Sequence, residues 1–338
     1  MDRYGTVDMG RQARKSARRT DDLIQPFQVE SMAAQGRLVR LGAAADAILA
    51  AHDYPAPVAV LLGECLTLAA LFAGAFKYQG TVTLQAKGDG PVPLLFADVT
   101  SDGGMRGYAQ YDAQRLGEVL DRGAPGPAEP VPRLLGTGHL ALTLDGGGDE
   151  RCHQGLVELA GATLADCAHN YLRRSIQRDA VVKLAVARVG DRVGDGGDGE
   201  GDGEPPPWRV GGLMIQRMPD SHGPRISGED ADPDRDDAWR RAVVLMGNST
   251  SEELLDPRLH PHRLLYRLFH EDGVRVFRTV ALEMRCRCSL ERVTNVLKSF
   301  PRREIESMKI DDRVVVKCEF CNADYVFDDT ALEALYSA

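Results

Sequence analysis

The chain has 338 residues, 43% of them hydrophobic, seven cysteines and a net charge of −9, enough apolar content for one large core and a smaller second domain. The acidic excess lies in residues 190–207 and 220–237, which together carry −10 and leave the rest nearly neutral; such Gly/Pro/Asp-rich segments offer nothing to a phosphate backbone, so nucleic acid is not an expected partner. An odd number of cysteines with no signal peptide ahead of them points to a reducing cytoplasm in which thiols are ligands or free.

Residues 1–22 hold Arg11, Arg14, Lys15, Arg18 and Arg19 among few apolar residues and read as a disordered basic tail. An α+β domain is expected over 23–219. Its central feature is Val58–Phe76, an almost continuous apolar run in which Glu64 is the only charge. The run just reaches the length of a membrane span, but Gly63, Glu64, Thr67 and many alanines favour a helix buried on all sides, started by Pro57. No membrane association is expected. Thr81–Lys87 alternates with period two, and the glycines and proline of 88–91 then supply turn chemistry. Further strands are expected at Leu94–Val99, Gly107–Tyr111, His139–Leu144, Val181–Val189 and Val210–Ile215, with a helix at Leu164–Arg174. Strands joined by short turns with helices interspersed predict an antiparallel sheet.

Sequence signatures of enzymes are missing. Gly194–Gly199 formally matches G-x-G-x-x-G, but no helix pattern follows and Pro205–Pro207 exclude one nearby, so 190–207 reads as a disordered acidic loop. No P-loop occurs, which removes a nucleotide-driven foldase. His153 and His169 lie near Cys152 and Cys167, yet these read as structural residues, as does Cys65. The protein is not expected to be an enzyme.

Residues 220–280 read as a linker. The part up to Asp237 is acidic and expected to be flexible. Trp239–Met246 is apolar-periodic, Thr250–Glu253 fits a capping box, and Pro261 opens a helix in which Leu264, Leu265, Leu268 and Phe269 form one apolar stripe. Helices this short depend on docking. The stripe is therefore a candidate switch element.

Residues 281–338 carry Cys286 and Cys288, then Cys318 and Cys321. Two close pairs separated by a loop suit a single tetrahedral zinc ion held by four thiolates, one per chain. The first pair is unusually tight. In extended chain its Cα atoms lie roughly 6.6 Å apart, at the far edge of the disulfide range, so a bond there would be strained and labile. By spacing alone a structural zinc ribbon remains the ordinary reading.

The stretches Cys286–Val293 and Val316–Phe327 resemble the two halves of the redox-switch domain of the 33-kDa heat-shock chaperone family. Gly88–Pro91, Met105–Ala109, Val157–Ala165 and Leu264–Glu271 resemble further blocks of that family in the same order. The resemblance implies an ATP-independent holdase for unfolding client proteins. It implies a reduced, zinc-bound inactive form. Oxidation is then expected to pair Cys286 with Cys288 and Cys318 with Cys321, expel zinc, unfold the linker and give a client-binding homodimer. The alternative is a zinc-ribbon adaptor with a purely structural metal and an N-terminal domain that binds protein or nucleic acid.

Overall fold

The computed structural model describes residues 20–76, 79–123, 129–146, 152–189, 205–219 and 233–336. The basic tail up to residue 19, most of the acidic loop 190–207 and residues 220–232 of the linker lie outside the described residues.

The chain opens with strand β1 (Leu23–Val29) and strand β2 (Ala34–Leu41), paired antiparallel. Helix α1 (Ala43–Leu49) and the long helix α2 (Ala56–Ala75) follow. Then come β3 (Thr81–Gly88), β4 (Leu94–Thr100), β5 (Gly104–Gln110), helix α3 (Ala113–Asp121), β6 (Gly138–Asp145), β7 (His153–Glu158), helix α4 (Leu164–Ser175), β8 (Ala180–Arg188) and β9 (Trp208–Arg217). Strands β1, β2, β9 and β8 lie side by side in one antiparallel sheet, and β5, β4, β3, β6 and β7 in a second.

Helix α2 lies between these sheets, as its all-round apolar sequence requires. Fourteen of its residues are buried, and one core cluster joins its leucines to Val82, Leu84, Leu95 and Ala97 of one sheet and to Val39, Val210 and Met214 of the other. It is also the one helix among the described residues long and apolar enough to cross a membrane, and 78% of its most apolar window is buried within the protein. Close approach is secured by glycine on both sides: a methyl at Gly63 would sit 2.8 Å from Val186 Cγ1, and one at Gly107 of β5 would sit 2.8 Å from Leu66 Cδ2.

The linker covers the other face of the first sheet. It consists of α5 (Pro233–Gly247), α6 (Ser251–Leu255) and α7 (Pro261–Phe269), then the short strands β10 (Val274–Val276) and β11 (Val280–Ala281), both paired with β1. Residues 233–237, expected to be flexible, are helical: Pro233 opens α5, and Asp234 and Asp236 in its first turn suit the positive end of the helix dipole. Thr250 and Glu253 form the expected capping box. Ala242, Met246, Leu254, Leu264, Leu265, Leu268 and Phe269 pack as one cluster on Phe27, Leu38, Leu213 and Ile215, with Phe269 stacked on Phe27 at 5.7 Å between ring centroids. Every residue of β9 from Trp208 to Gln216 is therefore buried, with α2 on one face and the linker on the other.

Polar contacts fasten this layer as well. Arg40 of β2 is fully buried, and its guanidinium donates to the carbonyls of Glu253 (2.9 Å), Leu254 (3.1 Å) and Leu259. Burial pulls its pKa down to about 10, which still leaves it charged at neutral pH. Arg209 of β9 donates to Leu255 O at 2.7 Å and pairs with Asp21. These arginines satisfy carbonyls at the C-terminal end of α6, where intrahelical partners run out. Replacing Arg40 with Met leaves one buried and two part-buried acceptors without a donor, and each such acceptor costs up to about 1–3 kcal/mol unless it relaxes toward water. Amide exchange in α6 and α7 of Arg40→Met is expected to speed by a factor matching a loss of about 2–4 kcal/mol in local opening energy, with α2 unchanged.

Candidate metal centre and its docking surface

After β11 the chain crosses to the second sheet. Strand β12 (Glu283–Met284) pairs parallel with β5, and Arg285 N donates to Met105 O at 2.8 Å. The first cysteine pair follows at once, so Cys286 and Cys288 sit on chain anchored to the edge of that sheet. Ser289 then caps α8 (Leu290–Lys298), accepting from Arg292 N. After α9 (Arg302–Ser307), a hairpin of β13 (Val314–Lys317) and β14 (Asp324–Phe327) carries the second pair in its turn, and α10 (Asp329–Tyr336) closes the lobe. In that turn Cys318 N donates to Ala323 O at 2.9 Å, Asn322 N donates to Cys318 O at 2.8 Å, and Asn322 takes a left-handed φ of 58°.

These two turns bring the four sulfurs together, all within 4.8 Å of one another. Sγ of Cys286 lies 3.6 Å from that of Cys318, and Sγ of Cys288 lies 3.4 Å from that of Cys321. Four thiolates each about 2.3 Å from a zinc ion stand roughly 3.8 Å apart, so the donor set and spacing fit a tetrahedral, thiophilic metal. Burial pushes the Cys321 thiol up to about 12. At Cys288 the same effect is outweighed by hydrogen bonds from the Tyr325 hydroxyl and the neighbouring thiols, which bring it down to about 7. The other cysteines stand apart: Cys65 and Cys167 are buried and Cys152 is exposed, and burial raises the thiols of Cys65 and Cys167.

The lobe has a small core of its own. Its core contains six buried apolar residues, Leu297, Ile305, Val314, Phe327, Leu332 and Leu335.

The lobe docks on the outer face of the second sheet. Arg287, between Cys286 and Cys288, pairs with Asp98 of β4, which is 2% exposed and also binds Arg106 Nε at 3.0 Å. Phe320, between Cys318 and Cys321, packs against Phe96 and Tyr108 at 5.4 and 6.2 Å between ring centroids, with the Arg106 guanidinium 3.9 Å from its own centroid. His52 Nε2 is 2.8 Å from Glu319 O. Both turns of the thiol cluster thus plant one side chain on the larger domain.

A two-sheet α+β protein with a small lobe that carries a four-thiol cluster able to hold a metal, packed on one sheet, is the class that fold and site define. The family profile described as Hsp33 protein matches residues 22–328. The chain is 39% identical to the 33 kDa chaperonin of Caulobacter vibrioides over 310 residues, covering 91% of this chain and 95% of the relative. It is 34% identical to that of Pseudomonas fluorescens over 318 residues, covering 94% of each. The crystal structure of the 33 kDa chaperonin from Thermotoga maritima has the same fold, with a TM-score of 0.70 at 21% identity over 93% of this chain and 97% of that one. This chain belongs to the Hsp33 protein family.

The reduced protein is expected to bind one metal ion per chain, measurable by elemental analysis. Cys→Ser at 286, 288, 318 or 321 leaves three ligands and is expected to weaken binding at least ten-fold. Cys65→Ala and Cys167→Ala are expected to leave metal content unchanged.

Proposed function

We propose that this chain is a cytoplasmic, redox-regulated, ATP-independent chaperone that is inactive while reduced and zinc-bound. Membership of a family whose relatives are named chaperonins supports the chaperone class. The observation that carries the regulation is the thiol cluster, which joins two turns of a lobe with six buried apolar residues. Cys286, Cys288, Cys318 and Cys321 would hold the zinc, which when bound cross-links the two turns and keeps the sulfurs as thiolates.

Oxidation acts on those sulfurs. Each disulfide, Cys286 with Cys288 and Cys318 with Cys321, forms by loss of two electrons from a pair of thiolates; hydrogen peroxide accepts the electrons, takes two protons from solvent and leaves as two waters. Sulfurs joined in this way no longer offer four thiolates, so metal is lost and the lobe loses its cross-link. Phe320 and Arg287 then leave the second sheet, and β12, β11 and β10 lose the anchor that holds the C-terminal end of the linker. The stripe Leu264, Leu265, Leu268 and Phe269 can lift from the first sheet. That exposes both its own surface and Phe27, Leu38, Leu213 and Ile215 beneath it, a continuous apolar patch of the kind that binds unfolding proteins and serves as a homodimer contact.

The test is suppression of aggregation of a thermally unfolding client. Peroxide-treated protein is expected to suppress it and reduced protein is not, with one zinc released per chain to a chromogenic chelator. Equal activity in both states would favour an adaptor with a purely structural metal. Hydrogen exchange is expected to show α5 to α7 losing protection on oxidation while α2 keeps it. Leu265→Ser with Phe269→Ser, which removes apolar contacts worth about 2–5 kcal/mol each, is expected to give partial activity without oxidant.

A further inference from the structure

Helix α2 contains one charged residue, Glu64, and the redox reading gives it no task. Its side chain faces a cleft of about 1030 Å³ between α2, β8 and α6, lined by Val60, Leu134, Leu184, Val186 and Leu255. Part of the residue is open to the cleft, while Oε2 is sealed from solvent and has no hydrogen-bond partner. Burial raises the carboxyl to about 7.

The ionisable neighbours do not satisfy it. On α2 itself the next residue is Cys65, and on α4 the nearby Cys167 is a neutral thiol and Asp166 caps its own helix through Thr163. Lys183 of β8 donates to the carbonyls of Gly247 and Ser249. At the rim formed by α6 and the following turn, Glu253 pairs with Arg267 and Asp256 with Arg258. Glu252 adds a further negative charge at that rim, exposed to solvent.

We propose that this cleft is a binding site for a small apolar amine, whose hydrocarbon chain lies along Val60, Leu184 and Val186 and whose ammonium group donates to Glu64. The volume is that of a small-molecule site, with aliphatic walls and one converging polar group. A purely apolar ligand would bury the rest of a carboxylate whose Oε2 already has no partner, and a carboxylate would set a second anion against Glu64. An ammonium placed at the open side of the carboxylate offsets that charge and also faces the unpaired Glu252 at the rim. Leu255 of α6 is one wall, so an occupied cleft also ties the linker to the domain beneath it.

Calorimetric titration of n-octylamine into the reduced full chain tests this, with n-octanoate as the comparison. The expected result is saturable one-to-one binding of the amine, at least ten-fold tighter than of octanoate. Affinity is expected to fall about ten-fold between pH 8 and pH 6, because protonation of a carboxyl titrating near 7 removes the anion. Glu64→Gln is expected to weaken binding at least ten-fold with its circular dichroism and metal content unchanged. In the unsubstituted protein, saturating octylamine is expected to lower the Glu64 carboxyl midpoint by more than one pH unit, read by carbon-13 NMR. Non-saturable binding, equal affinity for octanoate, undiminished binding by Glu64→Gln, or an unmoved Glu64 midpoint would each overturn the proposal. None of these readouts involves the cysteines or a client protein, so the outcome is independent of the redox reading.

Discussion

A lobe running from β12 to α10 has only six fully buried apolar side chains, and domains with so small a core commonly rely on a metal or on a neighbour for stability. Two things reinforce it: the four convergent thiols, which offer a cross-link, and the surface of the second sheet, which accepts Arg287 and Phe320. Both depend on the same two turns. A change at the sulfurs is therefore also a change at the docking contact.

The chain path extends that dependence to the opposite side of the molecule. Between α7, on the outer face of the first sheet, and Cys286, at the edge of the second, the backbone makes only three short pairings: β10 and β11 on β1, and β12 on β5. Strands of two or three residues have little stability of their own. They are held at one end by the linker cluster around Phe269, at the other by the thiol lobe, and between them by Leu282, which is buried in the main core. Short pairings between two anchors transmit the loss of either anchor.

What was legible in the sequence follows from how local each signal is. Helix α2 shows in nineteen consecutive nearly apolar residues, and β3 shows in its alternation of buried and less buried residues. The thiol cluster is legible because each half is a short motif. Strands β1 and β2 were not, because Gln25, Arg37 and Arg40 are polar yet buried, which erases the period-two pattern; their burial is compensated by partners far along the chain, such as Leu254 and Leu259 for Arg40. The docking partners of Arg287 and Phe320 were hidden for a related reason. Each residue lies between two cysteines, and only folding brings Asp98 or Phe96 against it.

The pair Arg287–Asp98 also bears on how the docked state is kept specific. Asp98 is buried under the lobe, and a buried carboxylate deprived of counter-charge is costly. Arg106 stays bonded to it from the adjacent strand, so departure of Arg287 removes one of two guanidinium partners and leaves no bare anion. The aromatic contacts of Phe320, whose ring is shared among Phe96, Tyr108 and Arg106, hold the other turn beside the β12–β5 pairing and the His52–Glu319 contact. A surface so arranged holds the lobe in one register while it is folded, yet remains satisfied once the lobe has gone. That combination suits a contact made to be broken by chemistry elsewhere.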